Sequence, residues 1–305
     1  MECRSRKSEG FRPAVGEQDS GGADNANMNV LVFSGIVFAV SALAGFLGSL
    51  TGLGGGVVVT PVLTLALGVD MHYAMGATLV SVIATSSGAA AAYVREGYSN
   101  IRVGMFLEVA TTIGAVVGAF LMAAVPVAAL AVTFGAVLLY SAWLALKEPK
   151  WSEAREADPL AARLKLNSSY PGPDGTVTYL VARVKTGFGL MFGAGMLSGL
   201  LGIGSGAMKV IAMDQVMLIP FKVSTTTSNF MIGVTAAASA GIYLGKGYIT
   251  PGLAMPVMLG VLAGSLAGAR HLMGAKTRAL RRIFAVVIAV LAMEMIYNGV
   301  AGGLK

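Results

Sequence analysis

Apolar residues fill this chain in long continuous runs rather than in alternation. Runs near 29–50, 73–94, 102–124 and 127–146, then near 186–201, 223–244, 251–271 and 277–300, predict helices. A hydrocarbon core about 30 Å thick needs roughly 20 apolar residues per crossing, and most of these runs reach or approach that length. Two shorter runs, 56–68 and 206–219, predict helices of about 20 Å at 1.5 Å per residue, too short to span. A transmembrane barrel would alternate over about ten residues, which these runs do not. The pattern predicts an all-α polytopic membrane protein.

Polar stretches divide the chain. Residues 1–28 are polar, of mixed charge and poor in aliphatics, which predicts a disordered tail. Its acidic residues do not suit a signal peptide, and Met28 is an alternative start. Residues 29–146 form a first transmembrane repeat, 147–185 a polar linker and 186–305 a second repeat. The linker carries the turn-rich run Ser168-Ser169-Tyr170-Pro171-Gly172-Pro173-Asp174-Gly175 and reads as a connector with too few aliphatics for a core of its own.

The repeat is visible without gaps at an offset of 150 residues. It lays Gly45-Phe-Leu-Gly-Ser-Leu-Thr-Gly-Leu-Gly-Gly-Gly56 over Gly195-Met-Leu-Ser-Gly-Leu-Leu-Gly-Ile-Gly-Ser-Gly206. It also superposes Tyr93 on Tyr243, Gly97 on Gly247, Tyr98 on Tyr248, and the Gly114/Gly118 pair on Gly264/Gly268. Each repeat therefore has about five helical segments, with a short broken helix after a Gly-rich motif. Basic residues gather at Arg95/Arg102, in the linker, and at Arg270, His271, Lys276, Arg278, Arg281 and Arg282. Five segments per half put these regions on one side and the halves in inverted orientation. If each short helix instead completes a broken crossing, the halves run parallel.

Composition reinforces this picture. The 305 residues are 55% hydrophobic and 12% charged, against roughly 25% charged in soluble domains. The 41 glycines suit close helix approach in lipid. The formal charge of +7 follows the positive-inside rule rather than pointing to nucleic acid. The Gly114/Gly118 and Gly264/Gly268 pairs read as helix crossings, within the monomer or across a homodimer. The single Cys3 gives neither a disulfide framework nor a thiolate metal site.

The repeated motif carries the candidate chemistry. Gly54, Gly55 and Gly56, and Gly204, Ser205 and Gly206, each precede a short helix, whose free N–H groups and positive dipole end suit an anion. Close helix packing is the alternative use of these glycines. Neither motif continues into the Gly-Lys-Ser/Thr of a phosphate loop. The next helix of each half offers hydroxyl and amide donors, among them Thr78 and Ser86, then Thr227, Ser228 and Asn229. Their alternative role is interhelical hydrogen bonding. Lys209 lies in the first turn of the second short helix, where it could assist an anion, pair with Asp214 or snorkel. Glu108, Asp214 and Glu294 also lie in apolar segments, where a charge costs at least ~2.5 kcal/mol, and are candidates to carry a coupling proton. No nucleophile–base pair, metal-ligand cluster or nucleotide motif is evident, which predicts neither enzyme nor cofactor.

At these residues the chain resembles the sulfite exporter TauE/SafE family of bacterial membrane permeases. The resemblance rests on Gly45 to Pro61, on Gly195 to Gly206, on Thr225-Thr-Thr-Ser-Asn-Phe230, and on the Tyr93…Gly97-Tyr98 and Tyr243…Gly247-Tyr248 endings. It implies a multi-pass inner-membrane transporter of small sulfur-containing anions, sulfite or organosulfonates, coupled to protons. Another small organic anion or a transition-metal cation is the alternative substrate. Gly-Ser-Gly in place of a second Gly-Gly-Gly, the following Lys209, and the long linker depart from the family's pattern.

Overall fold

The computed structural model describes residues 22–51, 56–95, 99–146, 158–172, 175–204, 206–272 and 277–302. The first half runs α1 (Gly22–Thr51), α2 (Gly56–Pro61) with a π-helical continuation Val62–Ala66, α3 (Met71–Arg95), α4 (Ile101–Met122) and α5 (Val127–Leu146). The linker adds α6 (Pro159–Arg163) and the strands β1 (Ser168–Gly172) and β2 (Gly175–Tyr179). The second half runs α7 (Val184–Leu201), α8 (Gly206–Ile211) with a π-helical continuation Ala212–Val216, α9 (Phe221–Gly245), α10 (Pro251–Leu272) and α11 (Thr277–Ala301). The element starts at 56, 62, 71, 101 and 127 recur at 206, 212, 221, 251 and 277, the 150-residue spacing of the sequence repeat.

Packing repeats with the same spacing but swaps partners between halves. Helix α4 packs along α7, and α10 packs along α1. A Cβ on Gly114 or Gly118 would strike the Phe192 and Met196 carbonyls of α7, and one on Gly195 or Gly199 the Thr111 and Ala115 carbonyls of α4. At the repeat-related positions, Gly264 faces Ala42 and Gly45 faces Val261. Glycine is the only residue that lets these backbones touch. The Gly114/Gly118 notch is thus used inside the chain. Helices α3 and α9 cross at the centre, and α5 pairs with α11.

Outward faces are apolar. On α4, Met105, Val109, Ile113 and Phe120 are exposed, and α11 shows Val286, Val290 and Met293. Such stripes at helical spacing cost free energy in water and match hydrocarbon. Among the described residues, Ile101–Met122 and Val184–Leu201 are long and apolar enough to cross a bilayer, beside shorter apolar segments such as Val127–Trp143 and Pro251–Ala267.

Three features differ from the sequence expectation. Helix α1 begins at Gly22, so 22–28 is helical rather than disordered. The fold is not purely helical, because β1 and β2 pair antiparallel, with Ser168 opposite Tyr179. The linker from Asp158 onward is also a docked cap rather than a bare connector. Its Ala161, Leu166, Tyr179 and Val181 share one buried cluster with Val103 and Leu107 of α4, Met213 and Met217 beyond α8, and Met231 of α9. The aliphatics it lacks are supplied by the helices below it.

Specific hydrogen bonds hold this cap. Asn100 accepts from Val103 N as the N-cap of α4 and donates through Nδ2 to Tyr179 Oη (2.8 Å) and Leu166 O (2.9 Å). Asp158 accepts from Leu160 N at the start of α6 and from Val184 N at the start of α7. Those two N–H donors, with Lys185 nearby, hold the Asp158 carboxyl below its usual range. Burial pushes the Tyr179 phenol up.

Candidate functional site

The two Gly motifs approach each other where α3 crosses α9. A Cβ on Gly56 would lie 2.6 Å from Val82 Cγ2 and 2.8 Å from Thr78 Cγ2, with Ile203 O 4.0 Å away. A Cβ on Gly204 would lie 3.2 Å from Val82 Cγ1 and 2.8 Å from Ile232 Cγ2. Val82 therefore touches both motifs. Gly202 and Gly204 have φ of +66° and +71°, a left-handed conformation that glycine adopts without strain. They end α7 and turn the chain into α8. Gly54, Gly55 and Ser205 lie outside the described residues.

The predicted donors divide into three groups. Thr78 bonds Thr60 through their hydroxyls at 2.8 Å, and Ser228 donates to Gly206 O at 3.2 Å. Ser86 donates to the Asn229 carbonyl at 2.5 Å, tying α3 to α9 at the crossing. Thr227 does not join them. Its hydroxyl accepts from Asn100 N at 3.0 Å and serves the linker cap. Thr78 and Ser228 touch the motif ends, Ser86 ties the crossing helices one turn beyond Val82, and all three are engaged with the protein itself.

Lys209 is fully buried, with 0% of its surface exposed. Its partner is not Asp214. Lys209 Nζ donates to Thr235 Oγ1 at 2.5 Å and lies 3.7 Å from Glu108 Oε2. Glu108, on α4, receives hydroxyl donors on both oxygens: Thr111 on Oε2 at 2.9 Å, Thr112 on Oε1 at 3.2 Å and Thr235 on Oε1 at 2.6 Å. This forms a closed polar island between α4, α8 and α9. A buried pair of this kind contributes little net stability but is costly to break from one side.

Asp214 lies on the π-helical continuation of α8, buried, and its Oδ1 has no hydrogen-bond partner among the described residues. Glu294 is exposed on α11, which packs on α5, α1 and α2 rather than near the island. Of the three carboxylates predicted from sequence, Glu108 alone meets the buried lysine. Sequence reasoning missed Thr111, Thr112 and Thr235. The first two follow Glu108 at i+3 and i+4, the same helix face, and that spacing was the available signal.

Comparison with known proteins bears on what this arrangement serves. The chain matches the family described as Sulfite exporter TauE/SafE over residues 37–295. It belongs to that family. Two relatives from Bacillus subtilis (strain 168) are similar across most of their length. Probable membrane transporter protein YunE is 25% identical over 272 residues, covering 87% of this chain and 98% of the relative. Probable membrane transporter protein YdhB is 27% identical over 236 residues, covering 77% and 87%. No solved structure matches the chain significantly. As a TauE/SafE protein the chain is a membrane transporter, and the apolar outer faces of its helices fit that setting.

Proposed function

We propose that this TauE/SafE protein is a multi-pass transporter of the bacterial inner membrane that exports small sulfur-containing anions, sulfite or organosulfonates, coupled to the proton gradient. The family description supports the substrate class and the direction. The observation that carries the reading is Lys209, a cation with no exposed surface in the first turn of α8, one turn from Gly206. Intramembrane charge is retained against its cost where it handles charged cargo or protons.

The anion would enter between the starts of the two short helices, beside Val82, with Thr78, Ser86 and Ser228 releasing their present partners, and be neutralised by Lys209 one turn beyond Gly206. The swapped packing of α1 with α10 and α4 with α7 supports two halves related by a pseudo-two-fold axis in the membrane plane, the inverted arrangement. The basic loops are then cytoplasmic.

Purified protein in liposomes, assayed for labelled sulfite flux with and without an imposed pH gradient, tests the reading. Sulfite or sulfonate flux that responds to the gradient is expected. Absence of both, with clear flux of a divalent cation, would overturn it. Gly206→Leu should abolish flux without preventing membrane insertion, and normal flux in that variant removes the helix-end site.

A further inference from the structure

We propose that proton and anion are coupled by competition for one lysine: Glu108 neutralises Lys209 in the empty carrier, and the anion replaces it once Glu108 takes up a proton. This rests on the anion-transport reading and adds the coupling step.

The geometry is that of a pair built to open. At 3.7 Å, Lys209 Nζ and Glu108 Oε2 are beyond hydrogen-bond range. They are joined instead through Thr235, which accepts from the ammonium at 2.5 Å and donates to Glu108 Oε1 at 2.6 Å. A hydroxyl has one proton to give. Thr235 has a second acceptor within reach, Met231 O at 3.0 Å, and Thr111 has Glu108 O at 3.1 Å. Each can rotate from the carboxylate to its own helix backbone and stay satisfied. Glu108 can therefore lose its ionic form without stranding these two donors.

Lys209 has no such alternative. It is fully buried, so a neutral Glu108 leaves a cation without a counter-charge, which is strongly unfavourable until another anion arrives. The proton comes from water, adds to a carboxylate oxygen and forms an O–H bond. The anion brings one negative charge, and the island's net charge stays at zero in both states. Proton and monoanion therefore travel together, and export proceeds where the anion gradient outweighs the proton gradient.

The other titratable groups on the elements packed around the pair stand apart from it, among the described residues. Arg102 on α4, Lys185 on α7 and Lys222 on α9 are exposed. Tyr243 on α9 donates to Gly199 O. Asp214 forms no hydrogen bond or ion pair with either member of the pair. The first half has no copy of the device, because the positions equivalent to Lys209 and Glu108 are Val59 and Met258.

Proteoliposome uptake of methanesulfonate, an anion that stays ionised throughout the accessible pH range, isolates the protein's own titration. Wild type should be accelerated by an inward proton gradient and indifferent to an imposed membrane potential. Glu108→Gln should transport without acceleration by the gradient, and its melting temperature should rise more than wild type's on adding methanesulfonate. Lys209→Met should lose roughly ten- to a hundredfold in apparent affinity, the contribution of a hydrogen-bonded charge. Thr235→Val should shift the pH dependence of flux, and Thr235→Ser should restore it. The neutral pair Glu108→Gln/Lys209→Met keeps the island filled, so its insertion with loss of gradient-driven flux supports the exchange. Gradient-accelerated flux in Glu108→Gln, or wild-type behaviour in the double variant, overturns the exchange alone. If wild type moves neither methanesulfonate nor sulfite, the transport reading falls and the exchange with it.

Discussion

The two short helices hold repeat-equivalent positions, yet their chemistry is opposite. Helix α2 buries Val57, Val58 and Val59, and its π-helical turn is closed from the side by α11, where Thr64 donates to Met295 Sδ. Helix α8 puts Lys209 where α2 has Val59, and its turn is closed by the linker, through Ala182 N donating to Met217 O at 3.0 Å. Asp214 likewise stands where α2 has Thr64. The backbone is duplicated and the polarity is not. One helix serves as an apolar wall, and the other carries the charge. A symmetric scaffold with an asymmetric charge can hold one anion in one place rather than two anions that repel each other.

The largest expected effect comes from erasing that asymmetry. Val59→Lys buries a cation at the position equivalent to Lys209 and should cost roughly 3–5 kcal/mol, the cost of an uncompensated buried charge, read as lost thermal stability in detergent. Adding Met258→Glu should recover part of that loss if the halves are equivalent in space, and no recovery would break the equivalence. Next, Gly199→Leu at the α4–α7 contact and Gly264→Leu at the α1–α10 contact should each cost about 2–3 kcal/mol through overpacking. Similar losses at both sites would sharpen the scaffold half of the comparison, and a large difference would break it.

Smaller effects follow in the hydroxyls. Thr60→Val removes the Thr78 partner on the first side and should cost about 1 kcal/mol, read as a lowered melting temperature. The smallest concerns the linker, present beside one short helix only. Because the Asp158 carboxyl is held below its ordinary range, its contribution to the cap is complete above that range and is lost as pH falls through the lowered value. Linker cleavage in limited proteolysis should therefore rise at acid pH in wild type. In Asp158→Ala it should be high at all pH values.

Most of the helical plan was legible because continuous apolar runs and a gap-free offset leave little choice of element. The short helices at 56–68 and 206–219 were readable because glycines interrupt the runs just before them. The cap was not, since its core is borrowed: Leu166 and Tyr179 become interior only when α4, α9 and the turn beyond α8 are beneath them. The site was half legible. Lys209 and Glu108 are conspicuous as charges in apolar runs, but 101 positions separate them and the repeat does not relate them. Asp214, only five positions from Lys209, was the partner that proximity in sequence offered.

The exchange of partners between halves also governs how the chain can be made. Helix α1 leaves the ribosome about two hundred residues before α10, whose Gly260 and Gly264 receive its backbone. Throughout that interval its face lacks the α10 partner it has in the folded chain. Neither half closes its own core, so a first half expressed alone should be degraded, and the two halves co-expressed as separate chains should rescue each other.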